Sequence, residues 1–75
     1  MTTKGVIRIG EERISYWLTA QDEPSENGIE GGKITRLTMK RDGMWDYRFE
    51  DGTVTLQTGI RETKRAMEML VLAYN

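Results

Sequence analysis

The chain has 75 residues, a formal charge of −1 and neither cysteine nor histidine. One small domain follows, near the size at which a single core barely suffices, and disulfides, soft-metal sites, cysteine nucleophiles and histidine acid–base chemistry are excluded. The charge balance gives no global attraction to nucleic acid or anionic lipid, and the longest apolar run, Met69 to Tyr74, is far too short to span a membrane.

Val6-Ile7-Arg8-Ile9 and Ile14-Ser15-Tyr16-Trp17-Leu18 alternate with period two, which predicts half-buried strands over about 4–9 and 14–21. With Gly10 to Arg13 as the loop, Ile9 faces Ile14, Ile7 faces Tyr16 and Gly5 faces Leu18. The apolar pairs then share one face, and Trp17 points to the other.

Asp22 to Leu37 begins as neither strand nor helix and holds the only proline and four of the twelve acidic residues. Pro24 suits the first position of a helical turn, Ser25 can bond its own backbone, and Asn27-Gly28 supplies a left-handed residue to end the turn. Gly31-Gly32 then lets the chain swing into a third strand from about Lys33.

Strands are predicted over about 33–40, 44–50 and 53–57, separated by two Asp-Gly signals. A bulged loop Arg41-Asp42-Gly43 would pair Met39 with Trp45 and Leu37 with Tyr47. A tight turn at Asp51-Gly52 would pair Phe49 with Val54 and Tyr47 with Leu56. Thr58 can cap a helix over about 59–74, with Ile60, Thr63, Met67, Leu70, Val71 and Tyr74 as its apolar stripe and Lys64 and Glu68 as an outer pair.

The expected architecture is a single α+β domain: a five-stranded antiparallel meander with one helix across one face. Its core would comprise Ile7, Ile9, Ile14, Tyr16, Leu18, Leu37, Met39, Trp45, Tyr47, Phe49, Val54 and Leu56. The other face would show Val6, Arg8, Trp17, Ile34, Arg36, Lys40, Met44 and Arg48. One helix covers one face, so the second stays open unless something binds it.

Candidate chemistry is sparse. Gly28-x-x-Gly31-Gly32-Lys33 lacks the spacing and the following helix that hold phosphate, and a solvated turn is the plainer reading. Asp22, Glu23, Glu26 and Glu30 do not match a calcium loop, because no glutamate falls at the twelfth position. Asp46 and Glu50 would share a strand face with Arg48 between them, which favours surface pairing over catalysis. Neither catalytic residue, metal nor cofactor is expected. The open face is the candidate site: Trp17 amid Arg8, Arg36, Lys40 and Arg48 combines residue types favoured at interfaces. The acidic loop residues Asp22, Glu23 and Glu26, with Ser25, are secondary contacts, and Met69 and Leu72 lie off the helix stripe, where self-association would use them.

The run Asp22-Glu23-x-Ser25-Glu26-x-Gly28-Ile29-x-x-Gly32-Lys33-Ile34-Thr35-Arg36-Leu37 and the ending Met69-Leu70-x-x-x-Tyr74-Asn75 resemble a short family of Gram-positive bacteria, their phages and mobile elements. That family has no assigned activity. The charge balance, the short apolar run and an N-terminus without a signal-peptide core lead to the expectation of a cytoplasmic protein. The resemblance implies a bacterial host, with inhibition of a host defence system by protein binding as a specific form. The expectation is thus a non-enzymatic binding protein with a protein partner and a homo-oligomeric state, dimer or larger. A sponge for a small nucleotide signal and a weak single-stranded nucleic-acid binder are the alternatives, the latter disfavoured because one aromatic alone is expected on the face and acids interrupt its basic residues.

Overall fold

In the computed structural model, which describes residues 1–57 and 59–75, five antiparallel strands form one open sheet and a C-terminal helix packs against it. The strands are β1 (Thr2–Ile9), β2 (Glu12–Ala20), β3 (Ile34–Arg41), β4 (Met44–Glu50) and β5 (Thr53–Leu56), each bonded to its sequence neighbours, and the helix is α1 (Arg61–Tyr74). This is the expected α+β meander.

Three hairpins close on two-residue turns, and their left-handed residues explain why. Asp42 (φ 51) with Gly43 (φ 80), and Asp51 (φ 44) with Gly52 (φ 87), put positive φ at both central positions, as a turn matching the strand twist requires. The tight Asp51-Gly52 turn and the Phe49–Val54 pair are therefore as expected. The bulged Arg41-Asp42-Gly43 loop is not: Arg41 pairs directly with Met44 across Asp42-Gly43. The first hairpin also turns in two residues, Gly10-Glu11, with Gly10 at φ 61. Ile7 consequently faces Ile14 and Gly5 faces Tyr16, two residues from the expected register. A shift of two preserves the faces, so the inward residues are unchanged.

Three bulges decide the rest of the pattern. Thr35, Asp46 and Thr55 are each skipped by the pairing of their strands. An extra residue reverses the parity beyond it. Past Thr35, Ile34 pairs with Ala20 and is fully buried, not on the open face. Past Asp46, Trp45 pairs with Lys40 and turns away from the helix, while Tyr47 and Phe49 stay inside opposite Met39 and Leu37. Met44, paired with Arg41, leaves the open face and stands exposed at the rim. Past Thr55, Leu56 pairs with Arg48 instead of Tyr47.

The core gathers Ile14, Leu18, Ala20, Ile34, Leu37, Met39, Tyr47 and Phe49 from the sheet, with Ala66 and Leu70 from the helix. Ile7, Ile9, Tyr16, Met67, Val71 and Tyr74 pack around it half-buried. The helix lies across β1, β2 and β3, so β5 is exposed along its length and Val54 and Leu56 are not core residues. Thr63 is fully buried, and its hydroxyl is satisfied by donating to Asp46 Oδ2 across the bulge. The proposed cap Thr58 lies outside the described residues. The helix begins later than expected, at Arg61, after the extended Ile60, whose carbonyl accepts from the Lys64 amide at 3.1 Å. Glu68 pairs at 4.0 Å with Arg65.

The loop between β2 and β3 is tied down at one point. The Asn75 side chain accepts from the Lys33 and Ile34 amides through Oδ1 at 3.0 and 3.1 Å and donates through Nδ2 to the Ile29 carbonyl at 3.0 Å. Gly32 makes room for it: a Cβ there would lie 2.3 Å from the Asn75 carboxamide carbon. The loop is not one capped turn ended by a left-handed Gly28. Gly28 is extended (φ −84) and is required because a Cβ would sit 1.9 Å from the Gly32 carbonyl. The left-handed residues are Glu30 (φ 53) and Gly31 (φ 69), around a 3-10 turn at Ile29–Gly31. Ser25 does bond locally, its Oγ accepting from the Asn27 amide at 3.2 Å.

Candidate functional site

The sheet face away from the helix is read from the pairings as a set of cross-strand rows. Thr2, Thr19, Arg36, Glu50 and Thr53 make one; Lys4, Trp17, Thr38, Arg48 and Leu56 the next; Val6, Ser15, Lys40 and Trp45 the third; and Arg8 with Arg13 the last. All five expected residues, Trp17, Arg8, Arg36, Lys40 and Arg48, belong to this face. Lys4, Arg13 and Trp45 join them. Lys4 and Arg13 follow from the parity that places Arg8 and Ser15, but Trp45 could not be found that way, because a bulge leaves little trace in an alternating pattern.

The two indoles meet, with ring centroids 5.6 Å apart and planes tilted by 52°. Lys40 Nζ stands 4.6 Å and Arg48 Cζ 5.4 Å from the Trp45 ring centroid, both within cation–π range. Trp17 is 39% and Trp45 47% exposed, so each presents ring surface to solvent. A hollow of about 330 Å³ beside Trp17 is lined by Lys4, Gly5, Val6, Ser15 and Tyr16. Tyr16 reaches it because Gly5 opposite has no side chain; a Cβ there would lie 2.7 Å from the Tyr16 hydroxyl.

Charge on this face is segregated. Lys4, Arg8, Arg13, Arg36, Lys40 and Arg48 stand there against one strand carboxylate, Glu50, which lies 3.9 Å from Arg36. The face thus carries a surplus of five positive charges, and since the whole chain sums to −1, the remainder carries a surplus of six negative ones. Asp46 is absent from the face. Its bulge turns it to the helix side, where it meets Thr63 and lies 3.7 Å from Arg41 Nε, so the expected Asp46–Arg48–Glu50 grouping does not form.

Arg41 centres a second cluster, with Glu12 and Asp42 each 3.7 Å from its Nη1. Sharing a proton with Asp42, and then burial, hold the Glu12 carboxyl above its ordinary value of 4.5. Burial, followed by the Tyr74 hydroxyl beside it, raises the Tyr16 phenol, and burial raises Tyr47. Among the described residues no group of three or more carboxylates is arranged to hold a metal ion. No helix among them is long and apolar enough to cross a membrane.

The remaining expected residues are dispersed. Asp22, Glu23 and Glu26 are exposed on the loop, while Ser25 is spent on the loop's own bonds. Met69 (45% exposed) and Leu72 (88%) lie on the outer side of the helix. Leu72 borders a groove of about 440 Å³ with Ile29, Tyr47, Met67 and Val71 and with Glu30 and Glu68.

A family model spans residues 1–75 of the chain. The protein belongs to the DUF7678 family, a domain of unknown function. No curated protein and no solved structure matches it. Membership in DUF7678 agrees with the expectation of a short family without assigned activity, and assigns no chemistry to the loop or to the chain ending.

Proposed function

We propose that this DUF7678 protein is a non-enzymatic binding module that grips an anionic partner through the open face of its sheet. One observation carries the reading: six cations against one carboxylate surround an exposed tryptophan pair, in a chain whose formal charge is −1. Sealing guanidinium and ammonium groups from water without matching anions is costly, so whatever covers this face brings negative charge. An extended partner fits better than a small nucleotide signal, because the hollow beside Trp17 has Lys4 as the one cation of its lining. A protein with an acidic surface and a single-stranded nucleic acid both meet these terms. Inhibition of a host defence by a phage- or mobile-element protein in a bacterial cytoplasm is the specific form, and it rests on the family resemblance alone. Self-association through Met69 and Leu72 belongs to the same proposal.

Retention on immobilised heparin at low salt tests the reading. The wild type should be retained despite a sequence pI near 5.4, and Lys40→Glu with Arg48→Glu should elute at clearly lower salt. Passage of the wild type straight through the column would remove the proposal.

A further inference from the structure

We infer that the anionic partner of the open face is single-stranded nucleic acid, its bases stacked on Trp17 and Trp45 and its phosphates held by the surrounding cations. The inference rests on the reading of that face as the contact surface. It goes further because of what occupies the centre. Protein–protein interfaces keep arginine but deplete lysine from their cores. Here it is a lysine, Lys40, that lies nearest the Trp45 ring, 4.6 Å from its centroid, with Arg48 at 5.4 Å. Aromatic platforms interleaved with cations are what single-strand binders present, since every base has a π-face and every nucleotide a phosphate.

The geometry fixes how bases would sit. At 5.6 Å between centroids the indoles are too close to sandwich a base, which needs about twice the ~3.4 Å stacking rise. One base therefore stacks on Trp17 over the hollow of about 330 Å³, near Lys4 and the Ser15 hydroxyl. A second stacks on Trp45 in place of Lys40 or Arg48, and the displaced cation moves to a phosphate. Lys4 and Arg48 stand in one cross-strand row, about 14 Å apart at a strand spacing of about 4.8 Å. That is a span for a few nucleotides crossing the sheet. The rows contain no asparagine or glutamine to read adenine edges, and with the cations held on phosphates binding is tolerant of sequence and set by stacking. A duplex buries its base faces and loses this contribution.

The experiment compares a fluorescein-labelled oligothymidylate, a duplex of equal length and polyglutamate, each titrated with the intact protein. The single strand should bind most tightly and quench tryptophan fluorescence. Three to five phosphate contacts would give log K against log salt a slope of roughly −2 to −3.5. Trp45→Ala and Trp17→Ala should each weaken oligothymidylate binding by about tenfold or more without lowering the thermal midpoint. If Trp17→Ala unfolds the domain, Trp17→Phe, which keeps a smaller ring, is read instead and should bind between wild type and Trp45→Ala. Polyglutamate binding as tight as oligothymidylate, or tryptophan variants that bind the oligonucleotide like wild type, would overturn the inference. The open-face reading survives that result if Lys40→Glu with Arg48→Glu abolishes the binding seen. Should the charge-reversed protein bind every polyanion unchanged, both fail.

Discussion

Asn75 satisfies two amides and one carbonyl of the loop with a single carboxamide. At about 1 kcal/mol net per hydrogen bond, Asn75→Ala should cost roughly 1–3 kcal/mol, since part of the loop backbone can turn to water instead. Asn75→Asp keeps the accepting oxygen and loses the donor to Ile29, so its thermal midpoint should fall less. Gly32→Ala drives a methyl into the same side chain and should destabilise strongly alone but little in the Asn75→Ala background. Equal costs in both backgrounds would show that Gly32 is needed for another reason. Glu12 gives a pH signature of opposite sense to most carboxylates. Its pKa is raised above 4.5, so the folded state binds more protons than the unfolded one and stability falls as pH rises through the shifted value. Glu12→Gln should therefore be at least as stable as wild type near neutrality, with the difference closing below pH 4.5. Melting curves across that range decide it. A variant less stable than wild type at neutral pH would mean that the 3.7 Å contact to Arg41 outweighs the repulsion from Asp42.

At the scale of elements, the bulges separate residues that alternation alone would group. Phe49→Ala removes a buried ring and should cost about 3–5 kcal/mol, whereas Val54→Ala, its pair partner on uncovered β5, should cost well under 1 kcal/mol. Similar losses of thermal stability in both variants would mean that something covers β5 in solution. Number, order and direction of the strands were legible in the sequence because the alternation in β1 and β2 and the two Asp-Gly turns are local signals. The face of Leu18, Leu37 and Phe49 was legible for the same reason. Ile34, Trp45 and Leu56 were not, since each lies beyond an extra residue whose position is set by tertiary packing. Asp46 is the clearest case: it is skipped in the ladder and its carboxylate meets Thr63 on a helix far along the chain. The candidate site was legible as a face and as four of its cations, but its second aromatic was hidden by that bulge.

The molecule as a whole leaves two surfaces without cover, and they differ in kind. The outer side of the helix is apolar at Met69 and Leu72, and with no cysteine to staple a small core, association there would add stability. Sedimentation at micromolar concentration should show a dimer or larger, reduced to a monomer by Leu72→Lys. A strict monomer across a hundredfold range of concentration would end that expectation. The sheet face is of the other kind: its five excess positive charges are bordered by the hairpin turns and the β2–β3 loop, which hold the six excess negative ones. Such a molecule carries a basic patch with an acidic border. Its isoelectric point of about 5.4 averages a patch and a border that meet different surroundings, and the protein should adhere to anion and cation exchangers alike at neutral pH. Near a polyanion, the field turns the tryptophan side forward before any contact is made. Orientation in transit, not net charge, would then set the encounter rate, and salt would slow it by screening the torque as much as the pull.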